Sequence, residues 1–267
     1  METTLRLLGG RAFYRRAFLG PGRFEVRRER VEVPGLGAGL RGFRIAHLSD
    51  LHAGSFLGPG DLRHVVDALH AERVDLACLT GDLVTRRWDE ALSLVPDLAR
   101  IRVPEGVLGV FGNHDYHGRR EGSIAALFAA AGVRMLRNQC HRVETSDGAL
   151  AVVGLEDLEE GKVIDVEGAR RGVREGDVEL VLCHNPAGAP HLARTGCAAV
   201  LSGHTHGHQI DLPLVRRAGP PHPGDRVQHG PTACITSRGL GVVGLPLRLR
   251  ANPELVVVEL VAAEEPR

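Results

Sequence analysis

The chain has 267 residues, enough to bury a sizeable core in one large domain or two small ones. Its 33 basic and 33 acidic residues cancel and the pI is near 7.3, so there is no global electrostatic case for a nucleic-acid partner. Five cysteines (Cys78, Cys140, Cys183, Cys197, Cys234), odd in number and without C-x-x-C spacing, argue against a disulfide framework and for reduced thiols in a cytoplasmic protein.

Residues 1–22 read as a basic N-terminal extension, with residues 23–267 as the main domain. The first thirty residues hold eight arginines against Glu2, Glu25 and Glu29, a local balance of +5 in a neutral chain. Leu5, Leu7, Leu8, Phe13, Tyr14, Phe18 and Leu19 are interspersed, yet no apolar run approaches the roughly 20 residues of a membrane span. Tyr14-Arg15-Arg16-Ala17-Phe18-Leu19 is followed by Pro21-Gly22-Arg23, not by the hydrophobic region an export signal needs. Two readings stay open: a solvated or loosely docked leader, and an anchor that contacts a membrane surface through basic and aromatic side chains.

From there the chain alternates. Phe24 to Val33 and Phe43 to Ser49 read as strands separated by a Pro-Gly turn. Leu62 to Ala71 is a helix with Leu62, Val65, Val66 and Leu69 on one face. The pattern predicts strands at 74–79, 106–111 and 133–136, with helices at 88–99 and 123–131 between them. Cys140 to Thr145 and Ala149 to Gly154 pair across Ser146-Asp147-Gly148, a hairpin signal. Strands at 178–183 and 198–201 flank a helix at 186–193, and strands at 233–236 and 255–260 close the chain. The segment 213–231, with Arg216, Arg217, His222, Arg226 and His229 among prolines and glycines, reads as an irregular loop able to attract an anion. No repeat or long linker divides the domain. Parallel β-α-β units followed by hairpin strands predict a mixed α/β architecture with two sheets packed between helices.

Five strand-like runs end in polar residues. Ile45 to Ser49 leads into Asp50-Leu51-His52, Leu76 to Leu79 into Gly81-Asp82, and Val107 to Phe111 into Gly112-Asn113-His114-Asp115. Val178 to Cys183 leads into His184, and Ala198 to Leu201 into Gly203-His204-Thr205-His206. Loops at strand ends are where a rigid sheet aims functional groups. Side chains two apart in an extended segment point the same way, which lets Asp50 and His52 share a site, and His204 and His206 likewise. With Asp82, Asn113 and His184 this makes seven oxygen and nitrogen donors and no sulfur. Such a set suits Mn, Fe, Zn or Co, and its size suits two ions. Two ions roughly 3.5–4 Å apart, bridged by a carboxylate and a hydroxide, clamp the attacking and leaving oxygens of a displacement at phosphorus.

These motifs, in this order, resemble the signature of the calcineurin-like metallophosphoesterases over residues 24–260. The closing Ser237-Arg238-Gly239-Leu240-Gly241 and Asn252-Pro253-Glu254-Leu255 resemble a bacterial branch of phosphodiesterases, often membrane-anchored. Some relatives of that branch cleave UDP-2,3-diacylglucosamine in lipid A synthesis. The resemblance implies a four-layer α-β-β-α sandwich of two mixed sheets flanked by helices. It implies a dinuclear phosphoesterase that cleaves a phosphodiester or pyrophosphate by attack of a metal-bridged hydroxide, with manganese the ion expected to support activity. Asp50, His52 and His206 then resemble the ligands of one metal and Asn113, His184 and His204 those of the other, with Asp82 as the bridge. His114 resembles the residue that contacts the scissile phosphate or protonates the leaving group, and Asp115 is expected to fix its orientation. His208 replaces a glycine usual in that branch, at the rim of the site, and is a candidate substrate contact together with Arg238; for Arg238 a structural ion pair is an equal alternative. The expected substrate is a phosphorylated small molecule or lipid-linked compound. The expected location is the cytoplasm, with peripheral contact to the membrane through residues 1–22. A non-catalytic scaffold on the same fold is the alternative from a different class, and the intact ligand set argues against it.

Overall fold

Strands such as Leu76-Ala-Cys-Leu-Thr80 carry no charge and are buried on both faces, the signature of a sheet covered on each side. The computed structural model describes residues 1–161, 163–213 and 226–263. It contains two six-stranded sheets packed face to face. The first is formed by β1 (Glu25–Val33), β2 (Arg44–Leu48), β3 (Leu76–Thr80), β4 (Val107–Val110), β5 (Val133–Met135) and β12 (Glu254–Ala262), in the order β1-β12-β2-β3-β4-β5. The second has the order β10-β11-β9-β8-β7-β6, from β6 (Gln139–Glu144), β7 (Ala149–Gly154), β8 (Val178–Leu182), β9 (Ala199–Ser202), β10 (Arg226–His229) and β11 (Thr232–Thr236). In the first sheet β2 to β5 run parallel and β12 is antiparallel to β2; in the second, β7, β8, β9 and β11 are parallel and both edge strands are antiparallel.

Alternation along the strands divides the core into three layers. Ile45, Leu76, Val256 and Val258 meet Leu180, Leu182 and Leu201 between the sheets. Ala46, Leu48, Leu79 and Val257 face outward onto α3 (Arg63–Ala71) and α5 (Glu121–Ala130). Val153, Val181 and Val200 face the opposite way onto α6 (Val166–Ala169) and α7 (Ala189–Leu192). The result is the four-layer sandwich implied by the resemblance.

Several boundaries differ from the sequence reading. The helix expected at 88–99 is a 3-10 turn (Trp88–Ser93) followed by the single turn α4 (Val95–Leu98), because Pro96 can supply no N–H inside a longer helix. Pro186 and Pro190 likewise limit the helix expected at 186–193 to short turns. Within the segment 213–231, residues 226–229 form β10, an edge strand, and not loop; residues 214–225 lie outside the described residues.

The N-terminal residues form two short helices, α1 (Glu2–Leu7) and α2 (Gly10–Phe18), joined at Gly9 with φ +87°. That break divides the interspersed apolar residues between two helices. Tyr14 and Leu19 are fully buried against the outer face of the first sheet, and Arg11 pairs with the buried Asp61 at 2.7 Å. Leu7, Leu8 and Phe13 stay exposed, with Arg6, Arg15 and Arg16 beside them.

His47 on β2 is wholly buried, its Nε2 2.8 Å from Thr80 Oγ1. Burial, helped by the nearby Arg27, pushes its pKa down to about 3. The unfolded chain binds a proton at this residue below about pH 6.5 and the folded chain refuses it down to about pH 3. Stability is therefore untouched above pH 6.5 and lost progressively below it, by several kcal/mol at the acid end. His47→Gln, which keeps a polar contact for Thr80 and cannot titrate, is expected to flatten that decline in urea midpoints measured between pH 7 and pH 4.

Candidate metal centre

Each candidate ligand follows the C-terminal end of a parallel strand: Asp50 and His52 after β2, Asp82 after β3, Asn113 after β4, His184 after β8, and His204 and His206 after β9. This is the end at which α/β sheets gather ligands. Asp50, His52, Asp82, His204 and His206 all have φ between +45° and +71°. Non-glycine residues hold that left-handed conformation only where the surroundings over-determine it, and such residues concentrate at functional sites. Gly203 is required beside them, since a Cβ there would lie 1.9 Å from Ser49 Oγ and 2.3 Å from Asp50 Oδ2.

All seven predicted donors come together. Asp50, His52, Asp82 and His206 place one atom each within 4.8 Å of the others, and Asp82, His184 and His204 do the same, so Asp82 belongs to both groups. Asp82 Oδ2 lies 3.4 Å from His52 Nε2 and its Oδ1 3.4 Å from His184 Nε2. His206 Nε2 is 3.4 Å from Asp50 Oδ1 and 3.0 Å from His52 Nε2. Asn113 Oδ1 joins the second group, 3.2 Å from His204 Nδ1. Further bonds hold the site: the His184 ring donates through Nδ1 to Thr80 O (2.6 Å), and the His204 main-chain N–H donates to Asp50 Oδ1 (3.0 Å). Orienting a ring through its other nitrogen is how outer partners prepare a metal ligand.

Burial works to raise the Asp82 carboxyl, but the His184 and His52 imidazoles beside it hold it well below the usual carboxylate range. For His184 burial pulls the pKa down and Asp82 overrides it, leaving the ring raised. His206 is pushed well below the ordinary histidine value by burial, with His52 and Arg248 adding to the effect.

His114 lies beside the ligands without joining either group. Its Nδ1 donates to Thr85 O at 2.6 Å, and its ring meets that of His52 edge-on at 4.7 Å. Burial lowers its pKa, with Asp82 working the other way. Asp115 does not orient this ring, contrary to the sequence reading. As the third residue of the 3-10 turn Asn113–Tyr116 its carboxylate folds back, accepting the N–H of Gly112 at 2.9 Å and those of Leu83 and Val84 at 2.8 and 3.0 Å. It ties the Asp82 loop to the Asn113 loop instead. The Arg238 guanidinium is engaged by Glu254 and Glu25, which realises its ion-pair alternative. His208 lies on the same left-handed turn as His206, with φ +65° and its Nδ1 3.9 Å from Asp211.

Three neighbours escaped the sequence reading. Glu159 reaches within 3.4 Å of His204 Nε2, and Arg248 and Tyr14 stand behind His206. None sits at a motif spacing; only the folded contacts identify them.

Comparison with known proteins places these features among relatives. A family model described as calcineurin-like phosphoesterase matches residues 43–208. The chain is 30% identical to the uncharacterized metallophosphoesterase YkuE of Bacillus subtilis, over 94% of this chain and 90% of that protein. It is 29% identical to phosphodiesterase YaeI of Escherichia coli, over 90% of each. Among solved structures it resembles Thermus thermophilus sulfate thiohydrolase SoxB, with a TM-score of 0.55 and 16% identity. That match covers 86% of this chain and 57% of SoxB, so the chain spans little more than half of that protein's length.

Proposed function

This chain belongs to the calcineurin-like phosphoesterase family, and on that premise we propose that it hydrolyses a phosphodiester or pyrophosphate with two divalent ions held on either side of Asp82. It is a phosphoester hydrolase, and Asp50, His52, Asp82 and His206 form its candidate divalent-metal site. The observation that carries the two-ion reading is the pair of donor groups sharing one carboxylate. The residues fit such ions. The donors are oxygen and nitrogen throughout, and the buried His184 Nε2 makes no hydrogen bond although it points at Asp82.

Asp50, His52 and His206 would hold one ion, Asn113, His184 and His204 the other, and Asp82 both. Bound there, the ions supply Lewis acidity to the phosphoryl oxygens and an acidified water for in-line displacement. The chain's own part is to hold these donors in place and to move a proton. With Nδ1 committed to Thr85 O, His114 has Nε2 left to protonate the departing oxygen. Burial lowers its pKa, and an imidazolium of lowered pKa is the stronger proton donor.

The protein purified with Mn(II) present is expected to carry two ions per chain by elemental analysis; one ion or none overturns the two-ion mechanism.

The phosphorylated substrate is proposed to be lipid-linked, such as a diacylglucosamine pyrophosphate. No helix among the described residues is long and apolar enough to cross a membrane. The support for lipid comes from the exposed Leu7, Leu8 and Phe13 beside Arg6, Arg15 and Arg16. Basic side chains near an anionic leaflet contribute about 1 kcal/mol each, enough for peripheral adhesion at the cytoplasmic membrane face. In flotation with anionic liposomes at low salt, the full chain is expected to rise with the vesicles, and Leu7→Ser/Leu8→Ser/Phe13→Ser to sediment. Equal behaviour removes the membrane reading and leaves the hydrolase intact.

A further inference from the structure

Arg248 lies behind His206 and is 3% exposed. Among the described residues no carboxylate pairs with it; its guanidinium is spread over main-chain carbonyls of two loops, the one after β9 and the one between β11 and β12. Nη1 donates to Arg238 O (2.7 Å), Ala251 O (3.0 Å) and His206 O (3.3 Å). Nε and Nη2 both donate to Gly241 O, and Nη2 comes within 3.4 Å of His206 Nδ1. Nε also meets the Tyr14 hydroxyl at 3.2 Å, and that hydroxyl donates to Leu240 O at 2.6 Å.

The carbonyls so gathered belong to the segments that shape one half of the metal centre. His206 begins a run of four residues, through Gln209, with φ from +54° to +65°. Such a turn keeps its shape only if neighbours fix it, and Arg248 holds its first carbonyl. Gly241, held by Arg248 through its oxygen, donates its N–H to Asp50 O at 2.7 Å. Leu240, held by Tyr14 through its oxygen, donates its N–H to Ser49 O at 3.1 Å. Arg248 and Tyr14 thus brace Asp50 and His206. Asn113 and His184 take their hydrogen bonds elsewhere, and of the second group only the His204 main-chain N–H meets this half, at Asp50 Oδ1.

We infer that Arg248, set in place by the Tyr14 hydroxyl of α2, is a positioning residue for the Asp50–His52–Asp82–His206 half of the centre. The N-terminal helix is thereby a working part of one metal-binding half and not of the other. A lysine cannot replace Arg248, because one ammonium cannot span these four carbonyls on two loops with a fixed fork.

This inference rests on the two-ion reading, and its test is equilibrium dialysis of the full chain against Mn(II) without substrate. Wild-type protein is expected to bind two ions. Arg248→Lys is expected to weaken one of the two by about 10–100-fold, the usual cost of losing an outer partner, and to leave the other unchanged. Tyr14→Phe, which keeps the buried ring and removes only the hydroxyl, is expected to weaken the same ion by up to about 10-fold. A merely structural role would lower the melting temperature of the metal-free variants and leave both affinities alone. Wild-type affinities in both variants, or equal weakening of the two ions, overturn the inference. If Arg248→Lys does not fold, Tyr14→Phe decides by the same criteria. Wild-type protein that binds fewer than two ions overturns the two-ion reading and this inference with it, whereas two ions in the wild type with unaffected variants remove this inference alone.

Discussion

Asp82→Asn is expected to abolish nearly all hydrolysis while leaving the chain folded. Asp82 is the one carboxylate common to both donor groups, with one oxygen 3.4 Å from His52 and the other 3.4 Å from His184. The substitution changes almost no volume. The His114 N–H, now 2.9 Å from Oδ1, still finds an amide oxygen. What disappears is the negative charge between two imidazoles, held ionised well below the usual carboxylate range. On the two-ion proposal a neutral amide cannot offset two cations in the same place, and this is the dominant effect. Lewis-acid stabilisation at phosphorus is worth several kcal/mol. At 1.36 kcal/mol per factor of ten, the expected loss in kcat is about 10³-fold or more. Without the carboxylate the raised pKa of His184 has lost its largest cause, so that ring can shed its proton and leave no stranded charge. The metal-free variant should therefore melt close to the wild-type temperature, with fewer than two ions bound after Mn(II) loading. Full activity with two ions would show that the shared carboxylate is not the bridge.

The part of this centre that was legible in the sequence is the part built by local rules. Apolar runs ending in a ligand residue, with a glycine before Asp82, Asn113 and His204, mark a parallel strand and the loop at its end, so Asp50, Asp82, Asn113, His184 and His204 stood out individually. The two sheets followed from the switch between parallel units and hairpins. What the sequence concealed depends on long-range contact or on backbone chemistry. Asp115 looked like a partner for the adjacent His114, but a short 3-10 turn carries its carboxylate back to Gly112 and across to the Asp82 loop. The ring is steered by a main-chain oxygen, Thr85 O, and no side-chain pattern signals a carbonyl. Arg238 lies within a loop that resembled a family motif, yet its partners Glu254 and Glu25 are the first residues of β12 and β1 in the first sheet. Arg248 is one arginine among many in the sequence and becomes distinctive only when its neighbours are known. The burial of the N-terminal residues is of the same kind: Gly9 breaks them into two short helices, so Tyr14 and Leu19 pack inward while Leu7 and Leu8 do not, a division that rests on tertiary contact.

His114→Gln separates proton donation from binding of the phosphoryl group. The imidazole stands beside both donor groups without belonging to either, with Nδ1 fixed on Thr85 O and its ring packed edge-on against His52. If Nε2 delivers a proton to the leaving oxygen, removing it should lower kcat by about 10²–10⁴-fold for a substrate with an alkoxide leaving group. Glutamine is polar and of similar reach, so the pocket stays filled and the Asp82–His114 backbone hydrogen bond survives. The metal donors are untouched, and two ions should still bind. A nitrophenolate leaves as a stabilised anion and needs little protonation, so with that substrate the loss should shrink towards 10-fold or less. The comparison therefore reads the chemistry of the step and not merely the importance of the residue. A loss of the same size on both substrates would assign His114 to stabilising the phosphoryl charge, because that interaction is indifferent to the leaving group. No loss on either would place the proton donor elsewhere on the rim, with His208 and the half-exposed Glu159 beside His204 the next groups to substitute.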